Sequence, residues 1–302
     1  EMAENRNAQQ VREITDKLEQ GLKELFESER FKEYLKTMSK FYNYSFNNTL
    51  LIAMQKPDAT LIAGYTAWQR NFDRHVMKGE KGIKILAPAP YKVQEERKKL
   101  DPATQKPVLD KDGKPVTETV EVTRPAFKVV SVFDVSQTDG KELPDIAVDE
   151  LAGSVENYAA FFDALKELSP VPIAFENITD GAKGYFSHVE NRIAIQEGMS
   201  EIQTIKTAIH EIAHAKLHAV TPGEKVAPED KKDRRTKEVE AESVAYTVCQ
   251  RYGIETSDYS FGYIAGWSSD KETKELKGSL ETIRKTAAEM ITGIDEKLKE
   301  RL

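Results

Sequence analysis

The chain has 302 residues, 39% of them hydrophobic and 31% charged, with a formal net charge of −7. That is enough apolar material for one large core or two ordinary ones, and no apolar run reaches the roughly 18 residues that a membrane-spanning helix needs. The stretch Glu1–Gln10 lacks the apolar centre of a secretory signal and one cysteine, Cys249, cannot form an internal disulfide, so the cytoplasm is the expected compartment.

Val11, Ile14, Leu18, Leu22 and Leu25 recur at helical spacing, which predicts helix over residues 8–40. Residues 41–55 are aromatic and amide-rich at first, then apolar, and Lys56-Pro57-Asp58 ends them. A short helix is expected over 66–72, then the basic turn Lys78-Gly79-Glu80-Lys81-Gly82, then a strand over 83–87. Residues 92–117 are charged and carry the hairpin signal Asp112-Gly113. Strands are expected over 118–124 and 126–134. The polar, acidic stretch 136–150 is the expected boundary, dividing the chain into domains at 1–140 and 141–302. The second half reads as a helix over 151–168, strands near 171–176, 183–188 and 191–196, and a long helix over 200–218. A Pro- and Lys-rich loop over 220–235 and a helix over 236–252 follow; Cys249, in its apolar run, is expected to pack in the core. Leu276, Leu280, Ile283, Ala287, Ile291, Ile294 and Leu298 mark one stripe of a final helix, expected to pack rather than to bind a partner. The fold class is α+β, in two domains.

The long helix carries His210-Glu211-Ile212-Ala213-His214, an H-E-x-x-H motif. Residues four apart lie on one helical face, so two imidazoles can converge on one zinc ion. Glu211 projects beside the ion, where a general base can take a proton from water. Ile202, Ile205, Ile209 and Ile212 are expected to give this helix a separate buried face. A catalytic ion takes three protein ligands and keeps an open position, and the third ligand is sought in Glu238–Glu242. Glu238 and Glu242 share a face with Ala241, Ala245 and Cys249, an inward face on which a carboxylate needs a cation. Glu238 is the expected ligand and Glu242 the carboxylate behind a ligand histidine, with the reverse assignment open and His218 a third possibility. Glu240 points elsewhere and is expected to be solvated. Mn2+ or another divalent ion can occupy such a site in place of zinc. Tyr246, Tyr185 and His218 are candidates for a second donor to a developing oxyanion.

The N-terminal half offers aromatic faces, amides and a basic glycine turn. Residues 30–99 hold 14 Lys and Arg against 6 Asp and Glu, while the remainder holds 30 against 45. An acidic chain with such a segment can bind a polyanion through it, and stacking faces beside basic groups suit single-stranded nucleic acid. The candidate DNA-binding residues are Tyr44, Asn47, Asn48, Trp68, Lys78, Lys81 and Lys84; for Trp68 and Phe46 a core role competes.

On the motif at His210–His214 and the downstream Glu238–Glu242 helix, the second half resembles zincin-like metallopeptidases of the ImmA/IrrE type. The resemblance implies a gluzincin fold, with His210, His214 and Glu238 on the metal and Glu211 as general base. The ordered set Tyr44–Ile52, Gln55–Thr60, Gly64–Trp68 and Lys78–Ile83 is similar to the N-terminal domain of ArdC-type antirestriction proteins of conjugative plasmids. That family implies a domain binding single-stranded DNA fused to a metallopeptidase-like domain, protecting incoming DNA from restriction, with a protein substrate that the motif does not name. Two other readings remain open: a stoichiometric DNA-binding protector whose metal site is structural, and an ImmA-like protease acting on a repressor.

Overall fold

The computed structural model describes residues 2–144, 155–219, 223–228 and 231–300. Part of the expected boundary at 136–150, the start of the helix expected over 151–168 and parts of the 220–235 loop lie outside the described residues.

The helix expected over 8–40 is two helices, α1 (Met2–Leu25) and α2 (Ser28–Lys40). Glu27 stands between them in extended conformation (φ −120°, ψ 141°) and offers no side-chain cap. The break lets Phe26 turn inward onto Phe31 and Trp267, with ring centroids 6.2 and 6.0 Å away; burial of a large ring outweighs continuity of the helix. Helix α3 (Phe46–Gln55) starts where the Ser45 hydroxyl accepts from the Asn48 amide and stops before Pro57. Then come β1 (Ile62–Gly64), α4 (Tyr65–Phe72), β2 (Arg74–Val76), β3 (Ile83–Pro88), β4 (Tyr91–Lys98), β5 (Thr117–Arg124), β6 (Phe127–Asp134), a 3-10 turn at Val135–Gln137 and β7 (Thr138–Gly140).

Contacts divide the chain into two units, residues 1–17 with 84–131, and 18–83 with 132–302. In the first, β4 and β5 pair antiparallel from Tyr91↔Arg124 to Lys98↔Thr117. The charged insert expected over 92–117 thus forms much of a long β-arm, extended by bridges Leu100↔Pro107 and Leu109↔Pro115. Its tip turns at Gly113 (φ 75°), with Asp110 accepting from the Asp112 and Lys114 amides.

In the second unit, the end of β6 pairs antiparallel with β1 (Ile62↔Asp134 to Gly64↔Val132), and β2 pairs with β7. Buried Asp134 holds this corner: Oδ1 accepts from the Thr60 and Leu61 amides, and Oδ2 from Ser136. Burial pushes its carboxyl up, but these donors together hold it below its ordinary value.

The rest of this unit is helical apart from one small sheet. Helix α5 (Val155–Leu168) leads to β8 (Ile173–Glu176), β9 (Gly184–Ser187) and β10 (Arg192–Gln196). Strand β10 is central, parallel to β8 and antiparallel to β9, and buries Ile193, Ala194 and Ile195. Helix α6 (Glu201–Leu217) carries the histidine motif and packs on β9, β10 and α5. Helix α7 (Arg234–Arg251) is the centre of the core, enclosed by α2, α6 and α9 (Thr273–Lys299), with the short α8 (Ile264–Ser268) nearby. Three flanking helices leave α7 almost no wet face, and Val239–Ala241 and Ser243–Cys249 are all buried; a helix buried all round shows no amphipathic stripe. Helix α9 buries Leu276, Leu280, Ile283, Ala287, Ile291 and Ile294, six of the seven residues of its expected stripe. No helix among the described residues is long and apolar enough to cross a membrane.

Helix α7 is started by Asp233, whose carboxylate accepts from the Thr236 amide at 2.7 Å and from Lys271 Nζ at 2.9 Å. The Lys271 bond, then the Thr236 amide, hold its pKa down to about 2. Asp233→Ala is expected to cost about 0.5–2 kcal/mol, the usual worth of such a cap. A depressed carboxylate pKa stabilises the folded state fully above its unfolded value of 3.8 and loses that contribution as pH falls towards about 2. Urea unfolding of both proteins is therefore expected to differ at pH 7 and to converge only as the pH falls to about 2.

Candidate metal centre

Helix α6 begins at Ser200, whose hydroxyl accepts from the Gln203 amide. Its apolar face, Ile205, Ala208, Ile209 and Ile212, is fully buried, whereas Ile202, expected on that face, is exposed; it lies in the first turn, beyond the neighbours that cover the rest. This seating turns His210 and His214 towards α7. Their Nε2 atoms are 3.2 Å apart. From α7, Glu238 brings one carboxylate oxygen to 3.5 Å from His210 Nε2 and the other to 3.1 Å from His214 Nε2. Atoms about 2.0–2.2 Å from a tetrahedral ion stand roughly 3.3 Å from one another, so the three groups already have the spacing of ligands around one divalent cation. They are the one cluster of this kind among the described residues. Two imidazoles and a carboxylate fit a borderline divalent ion. Glu238 is half exposed, which leaves the solvent side open.

The electrostatics suit a cation. Hydrogen bonds with His210, then His214, hold the Glu238 carboxyl far below the usual range. Burial pulls the His210 imidazole down, but Glu238, Glu211 and Glu242 outweigh it and leave it raised. Glu211 is only 8% exposed, and burial pushes its carboxyl up, which makes it a stronger base. It lines a cleft of about 280 Å³ with Gly184, Gln203, Lys206, Thr207, His210, Glu242, Asp258 and Tyr259. Gly184 belongs there sterically: a Cβ would stand 2.6 Å from the Thr207 side chain and 2.9 Å from the Ala194 carbonyl. Its absence lets β9 lie against α6 beneath Glu211.

The other residues of interest are dispersed. Glu242 lines the cleft and accepts from the Tyr263 hydroxyl. His218 does not join the ligand triangle; its Nδ1 is 2.8 Å from Nδ1 of His214, on the far side of that ring. Glu240 corrects the expectation of a solvated side chain: it is 0% exposed, with Lys232 Nζ at 2.5 and 2.8 Å from its two oxygens. Tyr185 is engaged by Glu176 and Arg192, and Tyr246 is buried against Tyr259 and Phe261. Sequence reasoning missed Tyr263 and Lys206. The latter is buried, pairs with Asp258 and lies 4.9 Å from the Tyr259 ring.

Among the candidate DNA-binding residues, Asn47, Lys78, Lys81 and Lys84 are exposed, while Tyr44 and Asn48 are half-buried. The turn at Lys78–Lys81 is built, not loose: Gly79 takes φ 85°, and Gln137 Nε2 donates to the Lys81 carbonyl at 2.7 Å. Trp68 is a correction. It is 0% exposed, its Nε1 donates to the Phe133 carbonyl at 2.9 Å, and its ring packs on Phe72, so no face is free for a base.

Comparison with known proteins adds to this geometry. Residues 5–133 match the N-terminal domain of anti-restriction factor ArdC, and residues 169–252 match the IrrE N-terminal-like domain. An uncharacterized protein of Bacillus anthracis is 29% identical over 328 residues, which covers 97% of this chain and 52% of that protein. DNA primase TraC of Escherichia coli is 45% identical over 65 residues, 22% of this chain and 6% of that protein. The chain thus spans about half the length of the first of these curated relatives and a small part of the second. The metal-free crystal structure of antirestriction ArdC protein from the R388 plasmid has a TM-score of 0.49 at 19% identity, over 85% of this chain and 86% of that one. Its Mn(II)-bound structure has a TM-score of 0.46 at 20% identity, over 86% of each chain. With the two domain matches in order along one sequence, the chain joins an ArdC N-terminal domain to an IrrE N-terminal-like domain.

Proposed function

We propose that this chain combines single-stranded DNA binding with a metallopeptidase centre, and that it serves antirestriction in the cytoplasm. Zinc is the expected ion, with Mn2+ as the alternative; His210, His214 and Glu238 are its ligands and Glu211 is the general base. The observation that carries the reading is the cluster of His210, His214 and Glu238, in which the two Nε2 atoms are 3.2 Å apart and each lies within 3.5 Å of a Glu238 carboxylate oxygen, with buried Glu211 next to it. The chemistry such an ion supplies is polarisation of a carbonyl and a lowered pKa for water. Glu211 takes the proton from water in the cleft and passes it to the leaving amine. Strand β9 forms one edge of its sheet, so an extended peptide can add along it with its backbone satisfied. The substrate is then a protein segment able to take up β conformation.

In the N-terminal half the reading rests on the exposed lysines of the built turn and on the half-buried ring of Tyr44 with exposed Asn47 on the adjoining segment. Two measurements on the purified protein test the proposal. Metal analysis is expected to find one divalent ion per native chain and none in His214→Ala. Single-stranded DNA binding is expected to weaken with salt, and its log–log salt slope to fall by about 1.4 when Lys78 and Lys81 are both replaced by Ala, at about 0.7 per phosphate contact. A chain that takes up no ion sinks the peptidase reading; salt-insensitive binding sinks the DNA reading.

A further inference from the structure

Behind His214 lies a buried polar chain that the ligand set does not account for. Nδ1 of His214 is 2.8 Å from Nδ1 of His218, at the C-terminal end of α6. The other ring nitrogen of His218, Nε2, is 3.7 Å from a carboxylate oxygen of Glu240 and makes no hydrogen bond among the described residues. Glu240 is fully buried and held through both oxygens by Lys232, which reaches the surface just before α7. A carboxylate taken wholly out of water is strongly unfavourable unless it is paired. Here Lys232 offsets that cost, and the pair holds a negative group facing His218.

We propose that His218, whose Nε2 faces the buried Glu240 carboxylate, is a positioning residue for His214 as a metal ligand. The inference rests on the metal-centre reading above. Two Nδ1 atoms at 2.8 Å share one proton, so one ring donates and the other accepts. A histidine that offers Nε2 to a cation carries its proton on Nδ1. His214 therefore donates, and His218 accepts with a bare Nδ1. That leaves the His218 proton on Nε2, the nitrogen that faces Glu240. Every tautomer along the chain is thereby fixed, and the carboxylate at its end selects the arrangement in which His214 presents a lone pair to the ion. His214 and His218 are four apart on one helix, as His210 and His214 are, so a single face supplies two ligands and the support for one of them.

The test is metal affinity, measured on the full chain by competition with a chromophoric chelator for Zn2+, with Co2+ absorption as a second readout. His218→Phe keeps the ring and removes both nitrogens; His218→Asn keeps an acceptor near the position of Nδ1; Glu240→Gln keeps shape and removes the charge. Replacing partners behind a metal ligand costs about 10–100-fold in affinity. That loss is expected for His218→Phe, with a smaller loss for Glu240→Gln, partial rescue in His218→Asn and an altered Co2+ spectrum in all three. Thermal unfolding of the metal-free proteins separates positioning from folding, and Glu240→Gln and His218→Asn carry the test where His218→Phe fails to fold. Native affinity and an unchanged Co2+ spectrum in the folded variants overturn the proposal alone. A native chain that takes up neither ion overturns the metal centre, and this proposal with it.

Discussion

Glu211→Gln is expected to lower metal-dependent hydrolysis of a peptide substrate about 100- to 10,000-fold, the range that a positioned general base contributes, while metal stays bound. Glu211 is 8% exposed beside His210, and Gln fills nearly the same volume, so the cleft keeps its shape. The native carboxylate is unfavourably desolvated, as its raised pKa records, and loss of that charge is not expected to lower stability. The pair of readouts is therefore clean: hydrolysis falls while metal content and unfolding temperature hold. Unchanged hydrolysis in the variant would remove Glu211 from the chemistry. The same variant separates the competing functions. If restriction is resisted at full strength after hydrolysis is lost, protection is stoichiometric and the metal centre serves another end. If resistance falls in step with hydrolysis, a protein is being cut.

The triangle of His210, His214 and Glu238 was legible because each part obeys a short-range rule: four residues per step on α6, and a carboxylate on the inward face of α7. The assignment of Glu238 over Glu242 was a choice between two residues on one face, and the structure separates them. Glu238 reaches both imidazoles, while Glu242 is taken by Tyr263. That tyrosine lies 21 positions further on, after an irregular turn, and no local pattern announces such a contact. Glu240 was misread for a related reason. Flanking residues of α7 made its face look polar, but α2, α6 and α9 enclose the helix, and the partner Lys232 comes from the segment before it. Burial that depends on three other helices is not written in the periodicity of one. The strands of the second half, by contrast, are short apolar runs between turn residues, and β8, β9 and β10 fall within their expected ranges. The break between α1 and α2 was hidden because the spacing of Leu18, Leu22 and Leu25 continues smoothly into it; only the docking of Phe26 explains why the chain turns there.

Trp68→Ala is expected to cost about 3–5 kcal/mol, as truncation of a fully buried aromatic does, and at about 2–4 °C per kcal/mol for a unit of roughly this size the unfolding temperature falls by roughly 6–20 °C. The loss has two parts. The ring leaves a cavity against Phe72, with which its centroid distance is 4.9 Å, and the Phe133 carbonyl loses its donor. Phe133 lies next to Asp134, which organises the Thr60–Leu61 segment and the turn at Val135–Gln137, and Gln137 in turn holds Lys81. Any fall in DNA affinity in this variant is thus expected to track unfolding and to be restored when binding is measured well below the new transition. Tyr44 differs. Its ring is half-buried on Phe41 at 5.6 Å, and a stacked base is worth about 1–3 kcal/mol, so Tyr44→Ala is expected to weaken binding by that amount with a smaller effect on stability. A Trp68→Ala protein that unfolds like the native chain yet loses DNA binding would return Trp68 to the stacking surface.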